Sequence, residues 1–184
     1  LNTKTESVTI KMDTTVSTFG TASYKQGTNN PVVNLWNFIM GKEVITVTVP
    51  ITEKDSGLDK DNIIVTLKSD STTTTVVDKA LSGNQKDGYS LSFTTTEDFM
   101  GTYTISAVDT AGNIAEASLQ PADSKIVVDT KAPTVTLTPS GTALKEAGDW
   151  AYTGTVAIGI SVEDEEVSSG LKSVTYSIDG EAAV

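Results

Sequence analysis

Three groups of side chains in this sequence could do chemistry, and the most prominent is acidic. Glu53, Asp55, Asp59 and Asp61 flank an S-G-L tripeptide at 56 to 58, and Glu163, Asp164, Glu165 and Glu166 crowd the loop before a second S-G-L at 169 to 171. Oxygen-rich clusters of this kind can supply the roughly six to eight ligands that calcium takes. A further oxygen set is Asp109 and Asn113 in D-T-A-G-N, with Asp129 farther along. Glu53, Asp55, Asp109, Asn113 and Asp129 are therefore the candidate calcium ligands. Their spacing does not follow the calcium loop D-x-[DN]-x-[DN]-G. The same residues have a plainer role as solvated loop charges, and Asp109 and Asn113 as caps of their own turn.

The second group is aromatic: Trp36 and Phe38 in W-N-F, Trp150 and Tyr152 in W-A-Y. Trp36, Trp150 and Tyr152 are candidates for a carbohydrate platform, although large aromatics are mostly buried. The third group is amine: Lys11, Lys68 and Lys125 lie in or beside expected strands, where a lysine can join an asparagine through an isopeptide bond. Catalysis lacks its usual tools. With no histidine and no cysteine, imidazole bases, thiolates, disulfides and the common zinc sites are all missing. A carboxylate pair could cleave a glycoside only across a cleft of defined width, and nothing in the sequence places such a pair. The chain is expected not to be an enzyme and to require no cofactor, calcium being the metal its residues would take.

A net charge of −11 at pH 7, with all 13 basic residues lysine, opposes binding to nucleic acid, which needs a basic stripe to displace counterions. Insertion into a membrane is not expected, because no apolar run approaches the ~18 residues a span requires. The start, LNTKTESVTI, lacks the basic and apolar regions of a signal peptide.

Positioning elements follow from hydropathy. Alternation of period two recurs at residues 7–12, 44–50, 62–69, 89–96, 102–108, 125–130, 134–139, 155–162 and 173–178, which predicts strands rich in Thr and Val. The fold class is all-β, as antiparallel sandwiches. Tyr89, Leu91 and Phe93 should face a core, as should Tyr103, Ile105 and Ala107. Gly112 and Asn113 suit the reversal that ends the latter strand.

Internal repetition organises the rest. IKMDTTV (10–16) and IVVDTKAPTV (126–135) share I-x-x-D-T, while KDSGLDKDNIIVTL (54–67) resembles VSSGLKSVTYSI (167–178). With the tryptophans at 36 and 150, these correspondences keep their order at offsets of about 110 to 116 residues, the signature of a tandem array. Residues 1–14 are expected to be the last strand of a preceding module, 15–130 a complete module, and 131–184 a second and incomplete one, as in an excerpt of a longer polypeptide.

Tyr103, Ile105, Ala107, Asp109, Ala111, Gly112 and Asn113, followed by V-D-T-x-A-P at Val128 to Pro133, resemble the tandem bacterial Ig-like repeats of secreted and cell-surface proteins. The resemblance implies Ig-like or fibronectin-III-like β-sandwiches in series, located outside the cell. It implies a non-catalytic stalk or spacer, adhesin-like, whose partners are the adjacent modules, with a host or wall glycan or protein as a further candidate partner. The alternative is a carbohydrate- or host-ligand-binding module attached to a secreted glycosidase. Tyr103 would stand at a tyrosine corner, its hydroxyl bonded to backbone.

Overall fold

The computed structural model describes residues 4–71, 73–143, 151–165 and 167–181. Fifteen strands form among them, together with one 3-10 turn, Lys60–Asn62, and no α-helix. No helix of the described residues is long and apolar enough to cross a membrane.

One sheet contains β1 (Thr18–Phe19), β2 (Ser23–Gln26), β3 (Asn30–Pro31), β6 (Ile45–Thr52), β9 (Lys79–Asn84) and β10 (Gly88–Thr94). Its order is β3-β2-β6-β10-β9, with β1 also against β6. The facing sheet contains β4 (Val33–Leu35), β5 (Phe38–Gly41), β7 (Ile64–Ser69), β8 (Thr74–Val76), β11 (Phe99–Val108), β12 (Ile114–Ser118) and β13 (Lys125–Val128). Its order is β4-β5-β13-β11-β7-β8, with β12 also against β11. Every pairing is antiparallel except that of β13 with β5. A third sheet is the long pair β14 (Thr134–Ala143) and β15 (Tyr152–Glu163), with a register shift between Ser140 and Thr142.

The first two sheets share one core because their alternating residues point at each other. Ile45, Val47, Val49 and Ile51 of β6, with Tyr89, Leu91 and Phe93 of β10, face Val65, Leu67, Phe99, Tyr103, Ile105, Ala107, Ile126 and Val128. The inward faces expected of β10 and β11 are the buried ones. Phe93 and Tyr103 meet edge to face, with ring centroids 5.1 Å apart, the arrangement an aromatic quadrupole favours.

Three local expectations differ from the structure. Residues 7–12 alternate as a strand should, yet they pair with no strand among the described residues, and Val8, Ile10 and Met12 are exposed. Residues 173–178 are likewise outside any strand. Alternation assigns side chains to faces, but a strand also needs a neighbour to take its backbone hydrogen bonds. The Tyr103 hydroxyl meets the Tyr24 hydroxyl at 3.2 Å and not a backbone group. The burial that surrounds it holds its pKa far above the ordinary tyrosine value, with the Tyr24 hydroxyl adding to the rise, so the pair stays neutral.

Candidate metal centre

The D-T-A-G-N turn is organised by one carboxylate. Asp109 is almost completely buried, at 1% exposure, where β11 ends. Its Oδ1 accepts from the backbone N–H of Ala111 at 2.9 Å and of Asn113 at 2.8 Å. Its Oδ2 accepts from the Asn113 side-chain amide at 2.7 Å. Gly112 completes the turn at φ 93°, a conformation that costs glycine little. Burial works against the charge on Asp109, but the donors from Asn113, Ala111 and Gly112 outweigh it and hold the pKa below the usual carboxylate range. The turn-capping role of Asp109 is thus visible bond by bond.

Asn113 also looks outward. The same amide nitrogen donates to the carbonyl of Asp13 at 3.2 Å, so the turn grips the chain as it approaches the first sheet. Asp13 makes a tight local bend there, its Oδ1 accepting from Thr15 N at 2.9 Å. The S-G-L loop closes the other side. Thr110 Oγ1 donates to the Ser56 carbonyl at 2.6 Å, Thr110 N donates to the Gly57 carbonyl, and Leu58 bridges to Asp109. Gly57 sits at φ 84°.

At the end of β6, Glu53 turns into this junction at 3% exposure. Its Oε1 accepts from Asp55 N at 2.8 Å and Ser56 N at 3.2 Å, and Oε2 from Ser17 Oγ at 3.5 Å. One carboxylate oxygen each from Asp13, Glu53 and Asp109 then lie within 4.8 Å of one another. None of the lysine ion pairs among the described residues reaches them. At an effective dielectric constant of about 20, two charges at that separation repel by on the order of 3 kcal/mol. Asp13 Oδ2 and Ser56 Oγ are moreover buried with no hydrogen-bond partner among the described residues. Buried acceptors without a donor are uncommon. Three hard, anionic carboxylates, one of which keeps an unpartnered oxygen, suit a calcium ion, which offsets most of their charge and accepts hydroxyl or carbonyl oxygen besides.

Of the calcium ligands expected from the sequence, the structure brings Glu53 and Asp109 together. Asn113 stands beside them, its amide nitrogen committed to Asp109 and Asp13. Asp55 contributes a backbone N–H to Glu53, its own side chain being exposed. Asp129 is elsewhere, accepting from Ser169 N at 2.7 Å and Ser169 Oγ at 2.8 Å. Asp13 and Ser56 were the members not anticipated. Asp13 nevertheless had a signal, since it occupies in I-x-x-D-T the place of Asp129.

Among the aromatic candidates, Trp36 is 92% exposed at the tip between β4 and β5, with φ 51°. Tyr152 is half-buried and opposite Ala143, and Trp150 lies outside the described residues, as does Glu166. Phe38, in β5, is exposed at 37%. Of the lysines considered for an isopeptide bond, Lys125 pairs with Asp70 at 2.7 Å, and Lys11 and Lys68 are exposed. No protein-family model matches the chain, and no curated protein matches it in sequence.

Proposed function

We propose that this chain is a non-catalytic spacer from a tandem array of Ig-like β-sandwich modules in a bacterial cell-surface or secreted protein, adhesin-like in kind. A calcium ion held by Asp13, Glu53 and Asp109 stiffens the place where the chain joins the first sandwich. The observation that carries the reading is the unpartnered Asp13 Oδ2 inside a group of three carboxylates, at the point where one segment of chain meets the next. Asp13 comes from the approaching chain, Glu53 and Asp109 from the sandwich, so a cation between them ties two bodies together.

The repeat supports the spacer role. Asp13 and Asp129 make the same bend, each Oδ1 accepting from the N–H two residues on, as successive joints of one design would. The acidic surface suits an extracellular stalk, because like charge keeps neighbouring rods apart and soluble. Its natural partners are adjacent modules of the same kind. A carbohydrate- or host-ligand-binding module attached to a secreted glycosidase is the second reading, favoured by Trp36, whose ring is held in water by a backbone conformation unusual for tryptophan.

Small-angle scattering tests the spacer directly. A compact chain of this length has a radius of gyration of about 16 Å. The spacer reading expects a distinctly larger value in calcium, with the profile of an elongated particle. A value at the compact limit in calcium and in chelator contradicts it.

A further inference from the structure

The junction after residue 129 uses the same bend as the one after residue 13 and fills it differently. At the first, the i+2 residue is Thr15; at the second it is Lys131. Lys131 Nζ lies 2.6 Å from Glu165, in the loop after β15, and 3.3 Å from Asp98, just before β11. Asp98 is held at φ 48°, and Thr130 Oγ1 donates to its other oxygen. The S-G-L serines differ in parallel. Ser169 gives both its N–H and its hydroxyl to Asp129 Oδ2. Ser56 gives its N–H to Glu53, while its hydroxyl and Asp13 Oδ2 both lack partners among the described residues.

We propose that Lys131 is a built-in cation for the second joint: its ammonium, tethered two residues beyond the hinge aspartate, holds Asp98 of the sandwich to Glu165 of the β14–β15 unit without a metal. Positive charge, carboxylates from both bodies and the direct Ser169–Asp129 bonds are then all supplied by the chain. Electrostatics agree with the geometry. Glu165 and Asp98 together raise the Lys131 pKa, and Thr130 and Lys131 lower that of Asp98. The groups are substantially exposed, at 48% for Lys131, so they add little to folding stability. Their role is orientation, because one ammonium touching two carboxylates on separate bodies fixes the angle between those bodies. This inference concerns a different joint from the Asp13 group and stands independently of calcium there.

The chain has no cysteine, so two nitroxide labels can be placed without background. Ser82→Cys in β9 and Thr136→Cys in β14 put one exposed label on each body. Pulsed electron paramagnetic resonance should give a single narrow distance peak in the otherwise wild-type chain, equally in calcium and in chelator. Lys131→Met and Glu165→Gln should each lose that narrow peak, and the double variant should broaden it no further, as expected of one shared interaction. Lys131→Arg should restore it. About 1 M salt, which shortens the screening length to about 3 Å, should broaden the wild type as the variants do. A distribution that Lys131→Met leaves unchanged, one broad in the wild type, or one that chelator alone broadens, overturns the proposal. The labels straddle only the second joint, so loss of an ion at the first does not imitate these outcomes. An unchanged melting transition of the sandwich in each variant excludes misfolding as the cause.

Discussion

Asp109→Ala is expected to lower the melting temperature by on the order of 10 °C already in chelator, and by more in calcium, where the variant also loses a ligand of the ion. The carboxylate is almost completely buried and accepts from two backbone N–H groups and one side-chain amide. Alanine leaves all three donors behind. Hydrogen bonds to a charged group contribute roughly 1.5 to 3 kcal/mol each, and a stranded buried donor costs about as much again. Relief of repulsion from Glu53 and Asp13 offsets part of the loss, leaving a net cost of about 3 kcal/mol. The Asn113 amide also loses the acceptor that aims it at Asp13, so residues 13–17 loosen as well. Acid should act in the same direction. The folded pKa of Asp109 is depressed, so its contribution is complete above the unfolded value near 4 and is lost as pH falls through the folded one. A thermal melt in chelator in which Asp109→Ala matches the wild type would show that the turn does not depend on this residue.

Glu53→Gln is expected to separate metal from fold with opposite signs. In chelator the variant should melt at the same temperature as the wild type or a few degrees above it. The glutamine carbonyl can keep the N–H groups of Asp55 and Ser56, while one of three crowded negative charges disappears. In calcium the order should reverse. A ligand that binds only the folded state stabilises it by about 2.7 kcal/mol at a concentration 100 times its dissociation constant, and the variant lacks a charged ligand for it. Differential scanning calorimetry of both proteins in both conditions reads the four numbers. Retention of the full calcium response by Glu53→Gln would remove Glu53 from the site, and a large loss of stability in chelator would make its role structural.

How much of this was legible in the sequence differs residue by residue. The inward faces of β10 and β11 could be read directly, because strand periodicity depends only on neighbours along the chain. The cap at Asp109 was equally local, its donors lying two and four residues away. The carboxylate group was not local. Asp13, Glu53 and Asp109 come from three distant segments, and only the pairing of β6 with its sheet and the end of β11 bring them to one point. Spacing rules for calcium loops could not find them, since such rules describe ligands on one continuous loop. The shared I-x-x-D-T motif held the missing clue: Asp129 stands beside a proline-containing segment, and the aspartate at the same place in the other occurrence of the motif is Asp13. The unpaired alternation at 7–12 shows the complementary limit, where local pattern is present and the partner that would make it a strand is not among the described residues.

The most direct test of the calcium joint is isothermal titration calorimetry of calcium into the metal-stripped chain, beside the Asp13→Ala variant. Asp13 lies outside the sheets and accepts its turn bond at the surface, so its removal should leave the sandwich folded. The account predicts one calcium bound per wild-type chain with a distinct heat, and loss of that event in Asp13→Ala. Absence of saturable binding in the wild type, or equal binding by the variant, would contradict it.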